Sequence, residues 1–324
     1  MGRFFTAKLG QYALVLLVAL SLNFMLPRFM PGDPLQYIIG EDIGRLTPEE
    51  REKIRVEQGL DRPLHEQFGA YLADLARGDL GWSIGRKAPI GDILKDRLPP
   101  TLLLTGSALL LSTLIGVALG AAAAWRRGSR SDLGIMSVFI FLESLPAFWV
   151  GMLLVAIFAV NLRVLPIYGF ESPYVSYQGV ERLKDIAVHL VLPLATLTIV
   201  SISAMFLTAR YSMLSVLGEE YITVARSKGI RERWVLFRHA LRNALLPIAT
   251  LVMLRVGFIV SGAVVVETVF AYPGVGRMLF EAVLARDYPL LQAGFILATF
   301  TVVAANILVD LVYPILDPRV RTHG

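Results

Sequence analysis

The sequence predicts an all-α membrane protein: six transmembrane helices, with an external helical segment between the first and the second. Three observations predict it. Hydrophobic residues make up 55% of the 324 positions and charged residues only 18%, against about 25% charged in a soluble domain. Six apolar stretches reach the roughly 20 residues a helix needs to cross a bilayer. None of them alternates with period two, which excludes a β-barrel.

The stretches are Leu9–Pro27, Leu98–Trp125, Leu133–Leu162, Ile186–Ala209, Asn243–Val266 and Tyr288–Leu316. The first two carry no charge, and the others hold Glu143, His189, Arg255 and Asp310 in turn. Pro146, Pro193, Pro247, Gly116 and Gly257 fall inside spans, where membrane helices tolerate them better than soluble ones do. The first span is expected to be retained rather than cleaved after Ala19-Leu20-Ser21, because its uncharged run exceeds the 7–15 residues of a signal peptide's apolar core.

Basic residues set the orientation. The N-terminus, the 126–132 loop, the 210–242 loop and the tail together hold fourteen Lys and Arg against five acids. The loops 163–185 and 268–287 hold five of each sign, and the 28–97 segment eleven basic against thirteen acidic residues. The basic side is therefore read as cytoplasmic, with both termini there. The isoelectric point near 9.5 follows from this bias, so no nucleic-acid partner is expected.

In the external segment, Thr47-Pro48-Glu49-Glu50 is a capping box with proline at the first helical position, so a helix should start there and stop at Gly59. A second helix, capped by Asp61, should carry Leu64, Phe68, Leu72 and Leu75 on one face and end at Gly78. Two amphipathic helices on the outer membrane surface would shield the bundle or dock an external partner.

Several chemistries are missing. There is no cysteine, hence no disulfide, thiol nucleophile or Fe–S cluster. Histidines 65, 189, 239 and 323 include no i,i+4 pair, and no carboxylate or histidine cluster has metal-ligand spacing. The dipeptide Gly-Lys is absent, so there is no P-loop for ATP. No catalytic, metal or cofactor site is expected in this chain, and it is not read as an enzyme. A membrane bundle of this kind is a channel, a secondary transporter or one subunit of a machine powered elsewhere.

The loop between spans four and five separates these. Residues 210–247 read RYSMLSVLGEEYITVARSKGIRERWVLFRHALRNALLP. Glu219 and Glu220 come early and Arg226 and Lys228 late, an order that complements a helix dipole. Gly229 suits the position just past a helix end. A short helix broken at glycine, then a basic amphipathic helix leading into span five, would form a lever for a soluble partner. The competing reading is a basic helix lying on anionic lipid.

This loop resembles the EAA loop of ABC import permeases, in the dipeptide/oligopeptide/nickel branch. The resemblance covers nearly the whole chain. It includes Pro31-Gly32-Asp33-Pro34, which marks the B-type subunit, and Gly59-Leu60-Asp61-Arg62-Pro63. Gly78-Asp79-Leu80-Gly81-Trp82-Ser83, Leu98-Pro99, Ser144-Leu145-Pro146-Ala147-Phe148, Glu220-Tyr221 and Ala225-Arg226-Ser227-Lys228-Gly229 follow. Arg238-His239-Ala240-Leu241-Arg242-Asn243-Ala244, Tyr272-Pro273-Gly274-Val275-Gly276-Arg277, Arg286-Asp287-Tyr288-Pro289 and Asp317-Pro318-Arg319 complete the series. One departure is plain: Thr223-Val224-Ala225 stands where the general motif has Glu-Ala-Ala, which leaves the anchoring carboxylate between Glu219 and Glu220.

The resemblance implies the type I importer permease fold in the cell inner membrane. It implies a second, homologous permease, two cytoplasmic ATPases that bind the ATP and Mg²⁺, an external substrate-binding protein, and alternating access. Glu220, Tyr221, Ala225, Arg226, Lys228 and Gly229 would form the ATPase-coupling loop. Such systems carry dipeptides, longer peptides, glutathione, nickel chelates or glycosides. The domains would be 1–30 (N-terminus and first span), 31–97 (external), 98–316 (core, with the coupling loop at 210–242) and 317–324 (tail).

Ionisable groups inside a bilayer are costly and mark paths or partners, so Glu143, Arg255, Glu267 and Asp310 are candidates for the translocation path or for internal ion pairs. Arg255, mid-span, is expected to face a carboxylate, Glu143 or Asp310. Glu267 and Asp310 lie near span ends, where they would reach headgroups, and His189 should be an interfacial hydrogen-bonder. A proton-coupled secondary transporter would use Glu143 or Asp310 as relay and show inverted repeats with broken helices. No repeat relates residues 9–160 to 186–316.

Overall fold

A computed structural model describes residues 2–29, 35, 44, 46–57, 59–260 and 263–316. The Pro31–Pro34 and Asp317–Arg319 elements and the tail lie outside the described residues. The chain is helical almost throughout. Its helices are α1 (Gly2–Phe29), α2 (Pro48–Glu57), α3 (Leu64–Ala76), α4 (Ile90–Trp125), α5 (Arg130–Glu143) and α6 (Ala147–Asn161). They continue with α7 (Gly179–Leu217), α8 (Glu220–Ser227), α9 (Glu232–Gly257), α10 (Val264–Val269), α11 (Val275–Leu284) and α12 (Tyr288–Leu316). A two-stranded antiparallel hairpin, β1 (Trp82–Ser83) and β2 (Ala88–Pro89), precedes α4.

Five helices are long and apolar enough to cross a membrane, and α5 with α6, bent by 101°, makes a sixth if the pair is one span. The third span is therefore not the straight helix expected. The chain turns at Ser144-Leu145-Pro146, where Pro146 adopts an extended ψ of 138° and starts α6. A residue before proline is driven out of the helical region, so the turn is local in origin. The fifth span also departs from expectation. Its helix begins at Glu232 and stops at Gly257, short of Val266, and helical structure resumes only at Val264.

The bundle centres on α4 against α7, the most extensive helix pair. Ala108, Ser112, Gly116, Gly120 and Ala124, four residues apart on α4, are all buried. Small residues at this spacing let helix backbones approach closely where lipid offers no hydrophobic drive. A Cβ on Gly116 would lie 2.6 Å from the Met205 Cβ, and one on Gly120 2.6 Å from the Phe206 carbonyl. Phe206 in turn stacks on Phe139 of α5, with ring centroids 4.3 Å apart.

The first and last helices are clasped. Lys8 Nζ donates to both Asp310 carboxylate oxygens, at 2.7 and 2.6 Å, and the Tyr12 hydroxyl donates to the same group. At the opposite end, Asp287 caps α12 through the Leu290 N–H and accepts from Ser83 Oγ and the Gly85 N–H of the hairpin. Two of the recognised segments, around Ser83 and Asp287, thus meet in space.

The external helices follow the sequence in part. Thr47 and Glu50 form the reciprocal capping box, with Thr47 N–H to Glu50 Oε2 at 2.8 Å and Glu50 N–H to Thr47 Oγ1 at 3.3 Å. These bonds hold the Glu50 carboxyl below the usual carboxylate range. Gly59 and Gly78 end the two helices at φ of 65° and 78°. Asp61 does not cap α3, because Pro63 occupies that position without a side-chain cap. Helix α2 buries no residue, whereas α3 packs Phe68 and Tyr71 against Phe24 of α1.

Candidate functional site

Helix α8 stands at the junction of α4, α7 and α9. Its inner face is Ile222 and Ala225, one turn apart, buried with Ala121 and Ala124 of α4, Met213 of α7, and Val235, Ala240 and Ala244 of α9. The helix ends in a Schellman stop: the Gly229 N–H bonds the Arg226 carbonyl at 2.9 Å and the Ile230 N–H bonds the Ala225 carbonyl at 3.4 Å. Gly229 has φ of 72°, the left-handed geometry that favours glycine here. Ile230 then folds back onto the same core, the apolar contact that accompanies this stop.

The outer face carries Glu220, Tyr221, Val224, Arg226 and Lys228, all exposed. Tyr211 of α7 and Trp234 and Phe237 of α9 are also at least half exposed. Arg226 pairs with Glu232 across the turn at 3.2 Å and lies 5.6 Å from the Trp125 ring centroid. The Tyr221 hydroxyl accepts from Asn243 Nδ2 at 2.7 Å, tying α8 to α9. Of the residues singled out from sequence, then, Ala225 faces the core and Tyr221 braces the arm. Glu220, Arg226, Lys228 and Gly229 are open to a partner. Neither Glu219 nor Glu220 caps α8 with its side chain.

Behind the arm lies a pair that the charge count misread. Arg210 belongs to α7, not to the loop, and is 8% exposed. Its Nε and Nη2 donate to the two oxygens of Asp132, at 2.8 and 2.9 Å. Asp132, 1% exposed, also accepts from the Gly128 N–H at 3.0 Å. This bidentate pair fixes the 126–132 loop to α7 one helical turn from Met213, which packs on α8.

The intramembrane charges fall apart as a group. Asp310 is taken by Lys8 and Tyr12, and Glu143 is exposed at the end of α5. Neither faces Arg255, which makes no ion pair among the described residues. Glu267 does not reach headgroups. It is fully buried and accepts from Thr101 Oγ1 and the Arg277 N–H, both at 2.9 Å, while Thr101 Oγ1 accepts from the Val275 N–H at 2.7 Å. A carboxylate from α10 thus serves the free N–H groups that open α11. Gly274 and Gly276 leave it room, since a Cβ at either would collide with the Glu267 carboxylate. His189 is buried, with Nδ1 2.9 Å from the Asp185 carbonyl.

The chain is thus a bundle of candidate membrane helices with a packed arm, α8, at one end. The comparisons give the family. Residues 116–322 match the family described as binding-protein-dependent transport system inner membrane component, and residues 1–105 match its N-terminal region. A putative peptide transport system permease of Brucella abortus is 38% identical over 314 residues, 97% of both chains. The dipeptide transport system permease of Escherichia coli K12 is 33% identical over 338 aligned positions, 99% of both chains. A di/tripeptide transport system permease of Pseudomonas aeruginosa is 36% identical over 93% of each. The chain belongs to the binding-protein-dependent transport permeases, multi-pass components of the inner membrane.

Proposed function

We propose that this chain is one of two permease subunits of an ATP-driven importer for small peptides. Two ATPase subunits grip the 219–235 arm of each permease on the cytoplasmic side, and an external binding protein delivers the solute to the opposite mouth. ATP and Mg²⁺ belong to the ATPases. The peptide substrate is argued from the relatives named for peptide transport, which align over nearly the full chain.

The observation that carries the mechanism is the arm itself. Ile222 and Ala225 lock α8 to three long helices, while Glu220, Val224, Arg226, Lys228 and Trp234 stay open. Force applied to such an element moves α4, α7 and α9 together rather than bending a loop. Nucleotide-driven closure of the ATPases then biases the bundle between two states, a ligand effect that the permease receives only through contact.

The test is a reconstituted complex carrying Arg226→Glu. Binding-protein-dependent uptake should fall by roughly tenfold or more, equivalent to about 1.4 kcal/mol of lost coupling. The ATPases should keep their basal turnover and the bundle its melting temperature. Uptake by this chain alone, without any ATPase, would overturn the reading.

A further inference from the structure

The fifth passage is discontinuous, and a cation sits at the break. Helix α9 stops at Gly257, the backbone turns through 258–260, and α10 starts at Val264. The depth of the break is set by its neighbour. Gly257 packs against Val302 and Ala305 of α12, about two-thirds of the way along the membrane span Tyr288–Leu311. Non-helical backbone at that depth is tolerated only where protein buries it or where it lines a water-filled cavity. A cavity of about 210 Å³ does open there, lined by Thr105 and Leu109 of α4, Leu197 and Ser201 of α7, and Arg255 and Phe258.

Arg255, in the last turn of α9, is half-buried at this cavity and makes no hydrogen bond or ion pair through its side chain among the described residues. The carboxylates nearest in expectation are committed elsewhere or exposed, as described above. A guanidinium offers a planar fork matched to a carboxylate, and Ser201 adds a hydroxyl to the same lining. The apolar remainder of the lining suits a short solute with a charged end. Helix breaks inside the membrane are where secondary transporters hold their solutes, and the same backbone logic applies to this break.

We propose that Arg255 forms a transient subsite for the carboxylate of the solute as it crosses the membrane. This rests on the importer reading above and names the solute chemistry that the pathway selects: a free carboxylate rather than an amide or ester. Arg255 is the only charged residue among those lining the cavity, so a single contact holds the solute weakly enough to release it, as conduction requires.

The experiment uses the whole importer in proteoliposomes, with Arg255→Gln and Arg255→Lys. Radiolabelled dialanine uptake should fall roughly 10- to 100-fold in Arg255→Gln, the range for losing a hydrogen bond to a charged group, and recover largely in Arg255→Lys. Binding-protein-stimulated ATP hydrolysis and assembly with the second permease should be unchanged. A second measurement bypasses the binding protein: the carboxyl-¹³C resonance of dialanine is titrated with the purified permease–ATPase complex. The wild type and Arg255→Lys should shift it and Arg255→Gln should not, while dialanine amide binds to none of them. Normal uptake by Arg255→Gln, or an equal resonance shift, overturns the subsite. So does loss of assembly in Arg255→Gln, which would make Arg255 the partner of a carboxylate on the second permease. Failure of the wild-type importer to take up any peptide would sink the functional reading instead, and the titration still reads Arg255 in that case.

Discussion

Asp132 and Arg210 lie 78 residues apart in the chain and form a buried, bidentate ion pair. Removing one partner of such a pair strands a charge in an apolar setting, which costs about 3–5 kcal/mol. Arg210→Ala or Asp132→Ala should therefore lower the melting temperature of the detergent-solubilised protein clearly. The double variant Asp132→Leu with Arg210→Met should recover most of the loss, because well-packed apolar residues replace such pairs at little cost. Single variants that melt with the wild type would show the pair to be ornamental. Sequence could not find this pair: Arg210 falls just past an apolar run and looks like the first residue of a basic loop. Glu267 was misplaced for the same reason, since its partners Thr101 and Arg277 are close only after folding. Thr47 with Glu50, and Gly229, were legible because their bonds close within a few residues.

At the scale of the element, the decisive contact is the small-residue face of α4. Gly120→Leu should force α4 away from α7 at Phe206 and Ala209, with an overpacking cost of about 1–3 kcal/mol. Gly106→Leu on the same helix is the control, because a Cβ there meets nothing within 4 Å. Thermal unfolding of the two variants separates the explanations: equal melting temperatures would mean that the close approach contributes little. Hydropathy located the five candidate spans and the apolar stretch of the bent pair, yet it registered neither the 101° turn at Ser144–Pro146 nor the stop at Gly257. Both breaks lie in stretches that stay apolar on average despite Glu143 and Arg255 beside them, and an average is all that a hydropathy pattern reads. Pro146 stood out in the sequence, but proline alone does not say whether a membrane helix kinks slightly or turns back.

For the whole molecule, orientation rests on the excess of Lys and Arg around the arm, and it has a clean test. The chain contains no cysteine, so a single introduced thiol reports without background. Lys228→Cys should react with a membrane-impermeant maleimide only from the cytoplasmic face, and His65→Cys on α3 only from the opposite face; both positions are exposed. The reverse pattern would place the arm where no ATPase can reach it.

The clasp of Lys8 and Tyr12 on Asp310 carries a consequence in parity. Lys8 opens the first passage and Asp310 closes the last, so their contact brings both ends of the bundle out on one face of the bilayer. A chain that leaves by the face it entered has traversed the sheet an even number of times. The five candidate spans are an odd count, and a complete traverse by the folded pair on either side of Pro146 restores the even one. A contact of three side chains near the two ends of the chain thus bears on how a helix pair in its middle is threaded.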